Sequence, residues 1–350
     1  MEEKILLDYN LNLEFKGRCW DQIRLGIVSL DENYIYWFVD KFLSLHMSSD
    51  YIIRSYKWTT LECVKIYEEV LEYKRIENTV YDNLIDTLKQ CIRNGDYVIG
   101  ILDSHIIWPD VIDDNCDSIH DSIIIGFDNA KNVFQVVNPS FRNSIQTIDF
   151  DLYKKAFFSA VYKMKTHHLW PYLTGLSPLS TIRPKKIERK KPDVGYLYNL
   201  FYYENYCSCN LADTRFDCYA TSNEWYGNSI YKGLYMNLLN DLREKRVEIT
   251  MKILYSIQYF YETRVSLKTR LDFLIKEYNW FDIQNLYMYI QDIIEEWKLI
   301  KALFEKYYYS KNEEILERLE KYLKDAEIKD KKIMLIFSRL LEETIVKTLY

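Results

Sequence analysis

The sequence predicts an α+β fold, in which helices pack on an antiparallel sheet and a mainly helical region follows. Short β-branched runs at 97–102, 122–127 and 133–137 are separated by turn residues, as in hairpins. From about residue 195 onward, apolar residues recur at helical spacing. Glycine (9 residues) and proline (6) are scarce among 350 residues, which disfavours an all-β architecture.

The first half of the chain should hold several further elements. Apolar spacing predicts helices at 20–30 and 59–93, the second of which ends at the turn residues Asn94-Gly95-Asp96. Residues 5–15 have the pattern of a strand or an extended segment. After the hairpins we expect a helix at 150–158 between two strands, at 145–148 and 160–164.

A break in composition divides the chain. Residues 170–192 contain four prolines, and a basic run occupies 183–191. Proline interrupts helices and charges keep a segment solvated, so we expect a linker at 171–194 between domains at 1–170 and 195–350. The clearest helices of the second domain are predicted at 230–277, 283–309 and 313–349.

Charge and composition narrow the classes of partner. A net charge of −6 argues against nucleic acid as the main partner. No apolar run reaches about 18 residues, so we expect no membrane-spanning helix. The acidic N-terminal residues do not resemble a signal peptide. Seven cysteines, an odd number, favour free thiols in a cytoplasmic protein.

Cys19 is the first candidate for chemistry. It follows Lys16-Gly17-Arg18 and immediately precedes a predicted helix. The positive end of the helix dipole stabilises a thiolate, and the thiolate is the nucleophilic form of cysteine. Local context alone leaves open that Cys19 is an inert, half-buried residue.

His120 and Asn138 complete a possible site. His120 begins the strand predicted at 122–127, and Asn138 ends the strand at 133–137. Two antiparallel strands joined by a short turn bring their outer ends together, so these residues should be neighbours. An amide that bonds an imidazole fixes its tautomer and prepares it to act as a base. The alternative for His120 alone is a structural histidine at a strand end.

This order of motifs resembles the papain-like superfamily, and within it the C39-like branch. The stretch from Tyr97-Val-Ile-Gly-Ile-Leu-Asp through His120-Asp-Ser-Ile-Ile-Ile-Gly-Phe-Asp to Val-Val-Asn138-Pro139 is similar to the N-terminal domain of butirosin-type acyltransferases. The resemblance covers roughly residues 10–165. It implies a papain-like core in which Cys19, His120 and Asn138 are the catalytic residues.

Two departures from the family pattern affect the site. C39-like peptidases carry a glutamine six residues before the cysteine that donates to the oxyanion, and here that position is Leu13. Asn12, or the backbone N–H of Cys19, would then serve as the oxyanion donor. Asn138 stands where C39-like proteins usually have aspartate, although papain-like proteases use asparagine.

The resemblance also implies partners. Butirosin-type enzymes move an acyl group from a carrier-protein thioester to an amine, and enzymes that assemble closthioamide-type polythioamides, which this chain resembles in size, use a small diamine. Asp103 and Asp121 could bind such a cation, or could belong to a solvated acidic loop. A basic run could dock an acidic carrier protein, or could be a solvated linker. Its cations are Arg183, Lys185, Lys186, Arg189, Lys190 and Lys191.

Three functions follow from these residues. The first is thiol-dependent acyl transfer, with amide formation from a carrier-bound phosphopantetheine thioester through an acyl-Cys19 intermediate. The second is peptide or amide hydrolysis by the same residues, as in a papain-like cysteine peptidase. The third is a non-catalytic binding module. Acyl transfer is the prediction, and it requires neither a metal nor a cofactor.

Overall fold

The protein has a mixed α+β fold, as predicted. The computed structural model describes residues 3–16, 19–54, 65–77, 82–109, 119–138, 142–167, 178–208, 224–281 and 283–349. Within these ranges, every helix is too short or too polar to span a lipid bilayer.

Strands lie mostly in the first half of the chain. They are β1 (Lys4–Leu6), β2 (His46–Met47), β3 (Ile53–Arg54), β4 (Leu71–Arg75), β5 (Tyr97–Asp103), β6 (Ile119–Asp128), β7 (Val133–Asn138), β8 (Arg142–Asp149), β9 (Leu179–Pro184) and β10 (Trp225–Tyr226). The main sheet is antiparallel in the order β4-β9-β5-β6-β7-β8, and β1 pairs with the far end of β6. The order β10-β2-β3 forms a second, small sheet.

Helices frame the main sheet and dominate the second half. They are α1 (Cys19–Val28), α2 (Tyr34–Phe38), α3 (Leu84–Arg93), α4 (Ser104–Ile107), α5 (Phe150–His167), α6 (Val194–Asn199), α7 (Ser229–Lys232), α8 (Leu239–Arg243), α9 (Met251–Tyr278), α10 (Gln284–Ser310) and α11 (Glu314–Leu349). Two π-helical segments, Leu200–Tyr206 and Gly233–Leu238, extend α6 and α7. The predicted long helices therefore exist, although the first is interrupted between 244 and 250.

The chain forms two compact units that are interleaved in sequence. One comprises 1–34 and 58–187, and the other comprises 35–57 and 188–350. The predicted boundaries at 170 and 195 differ from this division, because residues 35–57 make their contacts with the helical unit. The guanidinium of Arg270, in α9, donates to the carbonyls of Val39 (3.0 Å) and Lys41 (2.6 Å), and both bonds lie within that unit.

Three sequence predictions are wrong. Residues 71–75, expected in a helix, form β4, which pairs with β9 from Leu71 opposite Pro184 to Arg75 opposite Ser180. The expected linker at 171–194 contains β9, in which proline occupies the last position, where a missing N–H is tolerated. Residues 160–164, expected as a strand, continue α5 because Ala160 and Met164 face the core four residues apart.

The main sheet carries helices on both faces. A Cβ atom built on Gly100, in β5, would lie 2.9 Å from the Tyr153 hydroxyl, so α5 covers the face of Gly100. Side chains alternate along a strand, so Tyr97 points to the other face. There its hydroxyl donates to the Asp8 carbonyl (2.5 Å), and the adjacent Tyr9 hydroxyl donates to the Gln22 carbonyl of α1 (3.0 Å). Helix α1 therefore covers the second face.

Candidate functional site

Helix α1 packs against β6 and β7 of the main sheet. Near the C-terminal end of the helix, Gly26 lies against Tyr9, beside the start of β5. Nearer its N-terminal end, the charge of Arg24 acts on Asp121, at the start of β6. Cys19 is the first residue of the helix, and its side chain lies outside the described part of the structure. Cys19 therefore begins a helix that packs on the face of the sheet to which Asp121 points.

His120 and Asn138 lie near each other on adjacent strands. His120 is the second residue of β6 and pairs with Leu102 of β5. Asn138 is the last residue of β7, one step beyond the pairing of Ile123 with Val137. Continued by one residue, that register brings Asn138 opposite Ser122, two residues from His120, and the pairing of β7 with β8 shifts between Val137 and Asn138. The structure therefore agrees with the expectation that the outer ends of this hairpin meet.

Helix α1 faces Asp121 rather than His120. The helix packs against β6 and β7, and the charged group that Arg24 faces there is Asp121. Side chains alternate along β6, so His120 points to the face that α5 covers. The structure brings together His120 with Asn138, and Arg24 with Asp121.

Asp121 is a buried acid without a direct bond to its counter-ion. Its side chain is 6% exposed, and among the described residues neither carboxylate oxygen has a hydrogen-bond partner. Burial raises the pKa of Asp121 to about 7, and the charge of Arg24 opposes this rise. A group this enclosed is poorly placed to bind a diamine, so the structure does not support the predicted role of Asp121.

Asp103 forms an ion pair with a lysine of the same chain. It ends β5, and its Oδ2 accepts from Ser159 (2.6 Å) and lies 2.7 Å from Nζ of Lys163, both on α5. Burial raises the pKa of Asp103, but bonds from Lys163 and Ser159 outweigh it, so the net shift is downward. The carboxylate is therefore already paired with the ammonium group of a lysine of the chain. The amine substrate predicted to bind there would have to compete with this lysine.

Asn12 lies in an extended, exposed segment before α1. Its backbone N–H donates to the Asn10 side chain (2.9 Å), and the Asn10 amide donates to Ser29 (3.1 Å). These bonds tie the segment to the C-terminal end of α1 rather than to its N-terminus. The assignment of Asn12 as an oxyanion donor therefore stays a prediction without support from its contacts.

The basic run is only partly available for a partner. Arg183 pairs with Asp96 (2.7 Å), and Lys185 donates to the Glu68 carbonyl (2.5 Å). Within the helical unit, Arg189 lies 5.4 Å from the ring centre of Tyr36, and Lys191 pairs with Glu277 (3.5 Å). The side chains of Lys186 and Lys190 are exposed. Surface pairs of this kind are weak, so they do not prevent contact with an acidic surface.

Sequence reasoning missed a group of polar residues behind α1. Tyr67, in a helical turn at 65–68, donates to Asp21 (2.8 Å), and Nε of Arg24 donates to the hydroxyl of Tyr73 in β4 (3.0 Å). We call Asp21, Arg24, Tyr67, Tyr73 and Asp121 the polar anchor. Its one signal in the sequence is that charged residues interrupt the apolar face of α1.

The buried carboxyl of Asp121 predicts a pH-dependent stability. The pKa of Asp121 in the folded protein lies above its ordinary value of 3.8. Its contribution to the free energy of unfolding is therefore fully present below pH 3.8 and is lost as the pH rises toward 7. A rise of this size corresponds to about 4 kcal/mol. We expect Asp121→Asn, which is always neutral, to be more stable relative to the unaltered protein at pH 8 than at pH 4, in urea unfolding.

Asp103→Asn is the control, because the contribution of Asp103 to stability depends on pH in the opposite direction to that of Asp121. The pKa of Asp103 is lowered by its partners, so its contribution is present at neutral pH and is lost only as the pH falls below its ordinary value. This variant should lose stability at both pH 8 and pH 5. An Asp121→Asn variant whose relative stability does not change between pH 4 and pH 8 would contradict the assignment of Asp121 as a buried, neutral acid.

Neither a metal-binding group in the described ranges nor a similarity to known proteins adds evidence about this site. Within the described ranges, His, Cys, Asp and Glu form no group of three or more that could hold a metal ion. A scan against models of protein families finds no match for the sequence. A search among curated proteins also finds no significant similarity. The candidate site therefore rests on its residues and their arrangement.

Proposed function

We propose that the protein is a thiol-dependent acyltransferase that forms an amide from a carrier-bound thioester. The proposal rests on three residue types and the elements that carry them: a cysteine that begins α1, a histidine at the start of β6 and an asparagine at the end of β7, the strand that pairs with β6. This arrangement suits a papain-like, C39-like core. The α+β fold, with helices on both faces of the sheet, is compatible with it.

Each residue has a role in the proposed reaction. The Cys19 thiolate attacks the thioester carbonyl, and the phosphopantetheine thiol of the carrier protein leaves with a proton from His120. A small amine then attacks the acyl-Cys19 carbonyl while His120 accepts its proton. The C–S bond breaks, the amide leaves and the thiol returns. Asn138 would hold the imidazole of His120 in a productive orientation.

The experiment uses intact-mass spectrometry of the whole chain. The protein is incubated with an acyl-N-acetylcysteamine thioester, a small mimic of the carrier-bound substrate, and the mass of the protein is recorded over time. We expect one acyl adduct on Cys19 and none on Cys19→Ala. A diamine should discharge the adduct faster than water does. Cys91 and Cys207, two further cysteines in the described part of the chain, serve as internal controls for unspecific acylation.

The outcomes separate three functions. Faster discharge by a diamine supports acyl transfer. Discharge by water at the same rate with or without the amine favours hydrolysis. If neither the unaltered protein nor Cys19→Ala gains an adduct, the site is not catalytic and a binding role remains.

A further inference from the structure

Hydrogen bonds tie the first turns of α1 to two other elements, and the charge of one of its residues acts on a third. Asp21 accepts from Tyr67 in the helical turn at 65–68, Arg24 donates to Tyr73 in β4, and the charge of Arg24 acts on Asp121 in β6. Except for Tyr73, which is partly buried, the residues of the polar anchor are less than a tenth exposed. A helix that is hydrogen-bonded to two elements through buried side chains has little freedom to shift along or rotate about its axis.

Simple packing of α1 would not require these residues. Buried charges cost desolvation energy, and apolar residues of similar volume often stabilise a core as well or better. Arg24 is 3% exposed and has the rings of Tyr67 and Tyr73 within 5.7 and 5.8 Å of its guanidinium carbon. Directional bonds of this kind fix an orientation, which apolar contact does less well.

The anchored part of the helix is the part that bears Cys19. Asp21 is two residues after Cys19, and Arg24 is about one further turn along. The effect of a helix dipole on a thiolate falls off within the first turn, so it depends on where that turn lies. A nucleophile and its base also need placement to within about 0.5 Å.

We propose that the polar anchor is a positioning device that sets the reactivity of Cys19 by fixing the first turns of α1 against the start of β6. This inference rests on the proposed function, since it assumes that Cys19 is the nucleophile. Tyr67 and Tyr73 are positioning residues, because they act on Cys19 through Asp21 and Arg24. Loss of the Tyr67 hydroxyl leaves the Asp21 carboxylate, in the first turn of α1, without that donor.

The test measures the thiol itself and needs no substrate. Tyr67→Phe and Tyr73→Phe each remove one hydroxyl and keep the ring. The rate of Cys19 alkylation by iodoacetamide is followed from pH 5 to pH 10, with the labelled peptide identified by mass. We expect each variant to raise the apparent pKa of Cys19 by about one unit and, at pH values below both pKa values, to slow its alkylation about tenfold.

Tyr153→Phe is the matched control. Tyr153 is fully buried against the opposite face of the same sheet, and its hydroxyl has no hydrogen-bond partner in the described part of the chain. This variant should leave the alkylation profile unchanged. Circular dichroism of each variant establishes that it is folded, and the two anchor variants provide independent tests if one of them does not fold.

The results distinguish the inference from the function on which it rests. A low apparent pKa of Cys19 in the unaltered protein that neither anchor variant changes would overturn the inference alone. An equal change in Tyr153→Phe would also overturn it, because the effect would then reflect general packing. A Cys19 that alkylates like an ordinary cysteine, with an apparent pKa of about 8.5, would overturn the proposed function and the inference together.

Discussion

His120→Ala is expected to slow acylation of Cys19 by a thioester about 10²- to 10⁴-fold, the usual contribution of a positioned general base. His120 lies at the start of β6 and Asn138 at the end of the neighbouring strand β7, and in the proposed site the amide orients the imidazole for proton transfer. In the proposed site, the imidazole of His120 accepts the thiol proton and its positive charge stabilises the thiolate, so the variant would lose both effects.

The rate is measured as the growth of the acyl adduct in intact-mass spectra. His105→Ala is the control, because His105 lies in α4, directly after the strand that pairs with β6, and has no role in the proposed reaction. It should acylate within about twofold of the unaltered protein. Equal rates for His120→Ala and the unaltered protein would remove His120 from the reaction.

Asp330→Ala is expected to lower the free energy of unfolding by about 3 to 5 kcal/mol, because it leaves a buried arginine without its counter-ion. Arg264 of α9 and Asp330 of α11 form an ion pair in which both side chains are at most 2% exposed. Nε of Arg264 donates to Asp330 Oδ2 (3.0 Å), and the hydroxyl of Tyr231 donates to the same oxygen (3.1 Å). Trp297 of α10 donates to that hydroxyl (2.7 Å).

Guanidinium unfolding followed by circular dichroism measures the effect. The double variant Arg264→Met with Asp330→Leu should recover much of the loss, since an apolar pair of similar volume avoids the cost of burying charge. Glu295→Ala, which breaks an exposed pair with Lys298 (3.6 Å), should change stability by less than about 1 kcal/mol. A loss below about 1 kcal/mol for Asp330→Ala would show that the pair does not hold the helices together.

The local sequence pattern was sufficient to predict those elements whose apolar periodicity matches the face that they bury in the structure. The hairpin of β6 and β7 and the helices α10 and α11 were predicted close to their bounds, because apolar residues recur with the period of the element. Residues 71–75 and 179–184 were not, since each becomes a strand by pairing with the other across more than 100 residues of sequence. Pairing partners so far apart leave no trace in a local window.

The residues of the candidate site likewise fall into those that a local pattern predicts and those that meet only through tertiary contacts. His120 and Asn138 could be predicted as neighbours because one hairpin carries both. Asp103 and Asp121 were read as an acidic pocket, but Lys163 and Arg24 come to them from separate helices. The polar anchor was missed because Tyr67 and Tyr73 meet α1 only through tertiary contacts.

The bonds from Arg270 to the backbone around Val39 have a consequence for the order in which the protein is completed during synthesis. Val39 leaves the ribosome 231 residues before Arg270. At about 5 to 20 residues per second, this separation corresponds to about 10 to 50 seconds. Residues up to β9 suffice for the main sheet, whereas the segment at 35–57, with the apolar side chains of Trp37 and Phe38, must wait for α9. Some of the first residues to be made are therefore among the last to reach their final contacts.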